Sequence, residues 1–164
     1  MMISKAMNAQ LNKQITAEFG AAHNYLAMAC VFNQMGLKVL AKRFFQQQTE
    51  ESGHAMKIVK YILEVNGTVN LEAVAKPKTD YKTAEEIVQA ALDSELNITR
   101  MINDLATLAE SESDFATRSF LNWFIDEQVE EVSNMEGLLN LIRLAGKNVL
   151  QVEAFVRHEM MGEK

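Results

Sequence analysis

Residues 40–65, LAKRFFQQQTEESGHAMKIVKYILEV, carry the pattern that decides the fold. Alternating steps of three and four residues select one face of a helix. That face holds Leu40, Phe44, Gln47, Glu51, His54, Ile58, Tyr61 and Val65. It is apolar at both ends, which predicts a helix that packs into a core. Its centre holds Glu51 and His54 instead, and their three-residue spacing places both side chains on the same side of the helix.

Three further segments show the same arrangement, an apolar stripe with a glutamate near its middle. The stripes are Leu11, Ile15, Glu18, Ala22, Tyr25, Ala29 and Phe32; Val88, Ala91, Glu95, Ile98, Ile102 and Leu105; and Leu121, Phe124, Gln128, Glu131, Met135, Leu138 and Ile142. A buried carboxylate without a counter-charge is so unfavourable that it protonates instead. Two divalent cations would balance four such glutamates, so the stripes predict a metal centre inside a helix bundle.

Turn and capping residues along the chain predict an all-α fold in a single domain, residues 1–164. Four long helices are expected at about 4–35, 38–65, 83–110 and 114–145, with a short tail helix at about 148–160. Thr83 and Glu86 have the spacing of a capping box at the start of the third helix. The segment 67–82 is long enough to return along a four-helix bundle, which predicts two antiparallel hairpins joined by one long crossover.

Composition excludes several classes of function. The net charge is −6 and the chain has no basic run, which argues against nucleic acid and anionic membranes as partners. No apolar run approaches the roughly 20 residues needed to cross a bilayer, and the N-terminus lacks a signal-peptide pattern. The lone Cys30 excludes an internal disulfide and a cysteine-based zinc site, and we expect it to be buried. These features favour a cytoplasmic location.

The two predicted hairpins are related by an internal repeat of 77 residues. Adding 77 to positions 18, 51 and 54 gives Glu95, Gln128 and Glu131, and adding 77 to position 50 gives Glu127. The first hairpin carries Glu51-x-x-His54, whereas the second carries Gln128-x-x-Glu131. One metal position therefore gains a nitrogen ligand while the other is nearly all oxygen and should be weaker. Carboxylates with one imidazole suit iron or manganese better than copper or structural zinc.

Two segments resemble signatures of the non-haem ferritins of bacteria and archaea, and the likeness covers essentially the whole chain. They are WFIDEQVEE at 123–131 and QTEESGHA at 48–55. The resemblance implies a ferritin-like fold and a hollow shell of 24 identical subunits. It also implies ferroxidase activity within each subunit, in which Fe(II) is oxidised by O₂ or H₂O₂ and stored as a ferric oxyhydroxide mineral.

The resemblance further implies roles for individual residues. One iron would be held by Glu18, Glu51 and His54. A second would be held by Glu51, Glu95 and Gln128, with Gln128 better suited to bond oxygen bound there. A third position would be formed by Glu50, Glu127, Glu130 and Glu131. Tyr25 and Trp123 match aromatic residues beside the centre of such proteins, and either would serve as an electron donor, although both also suit plain core packing.

The sequence departs from the motifs of related families, and these differences narrow the expected cofactor and function. Haem-binding bacterioferritins carry a second Glu-x-x-His on the fourth helix and a methionine after the second-helix glutamate, where this chain has Gln128-x-x-Glu131 and Ser52. We therefore expect no haem. Two other functions fit the sequence less well. A rubrerythrin-like peroxidase would need four cysteines for its second iron domain, and a metal-free structural bundle would be more stable with an apolar core.

Overall fold

The computed structural model describes residues 2–162, which form five helices and, within that range, no strand. The helices are α1 (Lys5–Gln34), α2 (Lys38–Glu64), α3 (Ala84–Ser111), α4 (Phe115–Ala145) and α5 (Val149–Gly162). α1 packs along α2 and α3 along α4, while α1 also contacts α3 and the tail helix α5 lies against α2 and α4. This arrangement confirms the predicted four-helix bundle with a long crossover and a short fifth helix.

Side-chain caps fix where the helices begin. Thr83 Oγ1 accepts a hydrogen bond from the Glu86 amide at 3.1 Å, as the capping pattern predicts. The Glu86 carboxylate, however, accepts from the Lys82 amide at 2.8 Å, one residue earlier than a capping box requires. Asp114 caps α4 in the same way, because its Oδ1 accepts from the Thr117 amide at 3.0 Å.

The start of the crossover is fastened to α1. Asn66 lies two residues beyond the end of α2 and has a φ of 56°, and the next residue is Gly67. A Cβ on Gly67 would lie 2.5 Å from Asn8 Oδ1, so the close approach of the two segments requires glycine there. Asn8 and Asn12 both donate to the carbonyl of Thr68, at 3.1 and 2.8 Å. The crossover therefore leaves the bundle in a fixed direction.

The bundle interior consists of two apolar clusters, one toward each end. The first includes Phe32, Phe44, Val88, Leu138 and Ile142. The second includes Leu11, Ile58, Ile102, Leu121 and Phe124. Every residue of the four predicted stripes is buried. The polar members of the stripes thus lie in a layer that the apolar clusters enclose.

The surface differs from expectation at one position. Cys30 is exposed, so the prediction that it is buried is wrong. It follows Ala29 of the buried stripe, and one residue turns a helix by about 100°, which carries the thiol to the outer face. Among the described residues, no helix combines the length and apolarity needed to cross a membrane.

Candidate metal centre

A layer of polar side chains crosses the middle of the bundle. All six members are at most 6% exposed: Glu18, Glu51, His54, Glu95, Gln128 and Glu131. α1 and α3 supply one glutamate each, while α2 and α4 supply two residues each, three apart. The structure therefore brings together the residues that the interrupted stripes predicted to meet.

The acidic and histidine side chains form three overlapping groups that have the spacing of metal ligands. The groups are Glu18, Glu51 and His54; Glu51, Glu95 and Glu131; and His54, Glu127 and Glu131. Within each group, one ligand atom per residue lies within 4.8 Å of the others. Glu51 belongs to the first two groups and Glu131 to the last two. The three groups are therefore adjacent, share carboxylates and could each hold a metal ion.

The two ring nitrogens of His54 face different groups. Nδ1 lies 3.2 Å from Glu51 Oε2 and 3.9 Å from Glu18 Oε2. Nε2 lies 3.9 Å from Glu127 Oε1. Only one nitrogen of a neutral imidazole carries a proton, so the other is free to act as a ligand. His54 thus lies between the pair of buried positions and the more open third group.

Neutral donors hold the carboxylates in place. Gln14 donates to Glu18 at 2.7 Å, and Gln47 donates to Glu131 at 2.8 Å. The Gln128 amide donates to the Glu95 backbone carbonyl at 3.2 Å and lies 3.3 Å from its Oε2. Such partners fix the orientation of ligands and are expected around metal sites.

Gln14 was missed by the sequence analysis, although the sequence carried a signal for it. It follows Leu11 by three residues and precedes Glu18 by four, so it fits the same helical face. It is fully buried in the structure. A polar residue one turn before a predicted ligand is a candidate partner for that ligand.

Burial raises the pKa of every buried carboxyl in the centre, and repulsion from neighbouring carboxylates adds to it at Glu18, Glu51 and Glu131. Burial raises the pKa of Glu51 to about 9, with further contributions from Glu95 and Glu131. Burial also raises the pKa of Glu131 to about 7, and Glu95 adds to it. The pKa values of Glu18 and Glu95 are raised for the same main reason. In the metal-free protein these groups therefore hold protons that a bound cation would displace.

Two carboxylate oxygens of the centre have no hydrogen-bond partner in the part of the chain that the structure describes, which indicates the kind of ion that the centre could bind. Glu18 Oε2 and Glu51 Oε1 are buried and have no hydrogen-bond partner among the described atoms. Buried polar atoms normally have a partner, and these two belong to the group that includes His54. Four carboxylates and two divalent cations have balanced charges. The donor set therefore fits a pair of hard or borderline divalent cations.

An acidic cavity of about 470 Å³ adjoins the buried pair. Its walls include Glu50, Glu127, Glu130 and Glu131, the four residues expected to form a third position. Glu131 is buried and Glu127 half-buried, whereas Glu50 and Glu130 are exposed. Because Glu131 also belongs to the buried centre, the cavity connects that centre with the surface through a row of carboxylates.

The two aromatic candidates have contrasting surroundings. Tyr25 is 1% exposed, and its hydroxyl donates to Glu95 Oε1 at 2.5 Å. Trp123 is 38% exposed and meets the His54 ring edge-on, with ring centres 5.4 Å apart. The Lys57 ammonium lies 3.8 Å from the Trp123 ring centre. Trp123 therefore lies at the edge of the bundle and not in its core.

Comparisons with known proteins agree with this geometry. Residues 8–145 match the family model described as Ferritin-like domain. The chain is 37% identical over 153 residues to Ferritin BfrB of Mycolicibacterium smegmatis, which covers 93% of this chain and 84% of the relative. It is 39% identical over 145 residues to Bacterial non-heme ferritin of Staphylococcus aureus, covering 88% and 87%. The structure is similar to an open pore ferritin from Archaeoglobus fulgidus, with a TM-score of 0.92 and 35% identity over 94% of this chain and 96% of that one.

Proposed function

The chain belongs to the ferritin family, and from that premise we propose that it is an iron-storage protein with ferroxidase activity. Its substrates are Fe(II) and O₂ or H₂O₂. The product is a ferric oxyhydroxide mineral, held inside a hollow shell of 24 copies. The observation that carries the proposal is the row of three ligand groups joined by Glu51 and Glu131. A structural bundle without metal would have no use for buried carboxylate atoms that lack partners.

In this proposal two Fe(II) ions bind within one subunit. Glu18, Glu51 and His54 hold the first, and Glu51, Glu95 and Glu131 the second, with Gln128 beside it. Each Fe(II) gives up one electron, so the pair reduces O₂ to H₂O₂ with two protons, or H₂O₂ to two waters. The buried carboxyls release protons when Fe(II) binds, because a metal ligand must be deprotonated.

The remaining residues have supporting roles in the same proposal. Glu50, Glu127, Glu130 and Glu131 receive oxidised iron on its way from the centre. The Tyr25 hydroxyl orients Glu95 through its 2.5 Å hydrogen bond. When H₂O₂ formed from O₂ is reduced further to two waters, two more electrons and two protons are needed; Tyr25 supplies one electron while its proton passes to Glu95, and a further Fe(II) supplies the other electron. We propose no haem, because Ser52 occupies the methionine slot and its hydroxyl donates to the Gln48 carbonyl at 2.9 Å.

The experiment loads metal-free protein with Fe(II) under anaerobic conditions and then admits O₂, following ferric absorbance and particle mass together. We expect two rapidly oxidised irons per subunit and a particle far heavier than one chain. A Glu51→Gln variant should lose the fast phase while keeping assembly, because the neutral amide cannot bridge two cations. Glu64→Gln on the same helix, where the glutamate is exposed, is the matched control. Fast oxidation in Glu51→Gln at the wild-type rate would show that the centre is elsewhere.

A further inference from the structure

Two cavities of opposite character reach residues of the metal centre. The first is the acidic cavity lined by Glu50, Glu127, Glu130 and Glu131. The second is a groove of about 400 Å³ between α3 and α4. Most of its lining surface is apolar, from Leu96, Ile102, Ile125, Val129 and Val132, and the remaining lining residues are Thr99, Asn103, Gln128, Ser133 and Glu136. Because the two differ so strongly in chemistry, they are suited to different reactants.

The groove meets the centre at Gln128. This residue forms part of the groove wall together with Thr99 and is only 4% exposed. Its amide lies 3.2 Å from Thr99 Oγ1 and 3.3 Å from Glu95 Oε2. One side chain therefore contacts both the groove and a carboxylate of the centre.

The groove attracts cations much less than the acidic cavity does, because Glu136 is the one carboxylate among its described lining residues. Moving Fe(II) along aliphatic side chains would remove its water without supplying ligands, which is strongly unfavourable. A small neutral molecule has no such barrier, and apolar surface favours it over water. The acidic cavity has the reverse preference, since a field of carboxylates concentrates cations.

We propose that the α3–α4 groove is the binding and entry site for dioxygen, which reaches the centre beside Gln128 while iron uses the acidic cavity. This inference rests on the proposed ferroxidase function and adds a separate route for its oxidant. A water molecule occupies about 30 Å³ in the liquid, so a groove of this volume has room for several diatomic molecules. Separate routes would let oxygen wait beside the centre without competing with the incoming cation.

Xenon gives a test that does not depend on oxidation. It binds apolar cavities and serves as a stand-in for O₂. Crystals of the assembled wild-type protein under xenon pressure should show xenon in the groove, whereas Val132→Phe, which fills the space, should not. Leu144→Phe is the matched control, because Leu144 is 86% exposed on the same helix and lies outside the groove. Should Val132→Phe fail to fold, Val129→Phe takes its place at a position that is 70% exposed.

Kinetics give the second test. Protein preloaded with Fe(II) is mixed with increasing O₂, and the rate is fitted for its dependence on oxygen. In Val132→Phe we expect the rate of Fe(II) oxidation at low O₂ to fall about tenfold, which corresponds to about 1.4 kcal/mol of added barrier. The rate at saturating O₂ and the number of Fe(II) bound without oxygen should stay at wild-type values.

Other outcomes overturn the proposal in distinguishable ways. Absence of xenon from the wild-type groove, or an unchanged oxygen dependence in Val132→Phe, excludes the route. Loss of assembly in Val132→Phe, with a neighbouring copy seated in the groove, would show that the groove is a contact between subunits. Failure of the ferroxidase function itself would appear separately, as slow oxidation by the wild-type protein at every O₂ concentration.

Discussion

Glu51 belongs to both buried ligand groups, and its surroundings explain why the proposed function needs a carboxylate that can change protonation there. It faces Glu95 and Glu131 across the bundle, and burial together with their charges raises its pKa to about 9. In the metal-free protein its proton removes a charge that the core cannot solvate. Two cations reverse this preference, so one side chain serves both the empty and the loaded centre.

The raised pKa values predict how stability depends on pH. The unfolded chain releases these protons near the usual value of 4.5, whereas Glu131 keeps its proton to about 7 and Glu51 to about 9. The native state thus binds more protons within that window, and its stability falls as pH rises. For Glu131 alone the loss is on the order of 3 kcal/mol. The stabilisation that Glu131 gives to the native state is fully present below pH 4.5 and is lost as the pH rises to about 7.

Thermal unfolding of the metal-free protein between about pH 5 and about pH 9 measures this effect. We expect the wild-type midpoint to fall across the range and the slope to be smaller in Glu51→Gln, whose amide does not titrate. Adding a divalent cation at high pH should restore the midpoint in the wild type and much less in the variant. A wild-type midpoint that rises steadily to pH 9 would contradict the assigned direction.

The surroundings of Tyr25 and Trp123 predict which one gives up an electron. Tyr25 has a carboxylate to receive its proton, whereas Lys57 places a positive charge over the Trp123 ring. A positive charge beside the ring disfavours the indole radical cation. A cation–π contact of about 0.5–2 kcal/mol corresponds to an equilibrium constant for indole oxidation that is about 2- to 30-fold smaller. We expect a tyrosyl radical signal by electron paramagnetic resonance during turnover, lost in Tyr25→Phe. A tryptophanyl signal should appear only in a variant that also carries Lys57→Met. A tryptophanyl signal in the wild type would contradict the prediction that Tyr25 is the preferred electron donor.

The meeting of the proposed ligands could be predicted because helical periodicity reveals polar residues within a core-facing stripe, as at Glu18 and Glu95. The contacts around them were only partly predictable. Gln14 lies on the same face as Glu18, but its role required knowing which way its amide turns. The position of Lys57 over Trp123 depends on how α2 and α4 are rotated against each other, which a spacing pattern does not specify.

At the scale of the helices, capping explains why most ends were predicted to within a residue or two. The start of α2 was also predicted correctly, at residue 38, but no capping side chain in the adjacent sequence accounts for it. Its first flanking residue, Leu37, offers no side-chain cap. Glu153 of α5 takes that role, since its Oε1 accepts from the amides of Val39 and Leu40 at 2.7 and 2.9 Å. A cap supplied from 114 residues away leaves no local signal in the sequence.

This remote cap predicts that Glu153 couples the tail helix to the bundle. Glu153→Ala would leave two amides at the α2 start without an acceptor and remove a negative charge from a helix N-terminus. We expect a loss of roughly 1–2 kcal/mol in unfolding free energy, together with faster proteolysis within α5. Glu153→Gln keeps an acceptor oxygen and should lose less. If Glu153→Ala matches the wild type in both measurements, α5 is held by its apolar contacts alone.

At the scale of the whole molecule, the 77-residue repeat predicted that the two hairpins bring their ligands to matching heights, and the layer of buried carboxyls agrees. The repeat did not predict the cavities. The acidic cavity and the α3–α4 groove arise from spaces between helices, and their shapes depend on lining side chains such as Glu130 and Val132, which lie outside the predicted core stripes. The fold and the meeting of the polar side chains in one buried layer could therefore be predicted from the sequence, whereas the cavities that reach this layer could not.

The proposed shell requires that some apolar surface of the isolated chain become buried between copies. A groove of about 390 Å³ beside the crossover presents Leu26, Leu71 and Val74 to solvent. Leu71 is 67% exposed, so a glutamate there should not disturb the fold of one chain. We expect Leu71→Glu to shift the particle to smaller species by sedimentation, because a charge buried at an interface is strongly unfavourable. Leu71→Ala, which stays apolar, should retain most of the assembly.

Since all the proposed ligands come from one chain, the small species should still bind two Fe(II) per subunit. Loss of that binding would show that the centre needs a neighbouring copy.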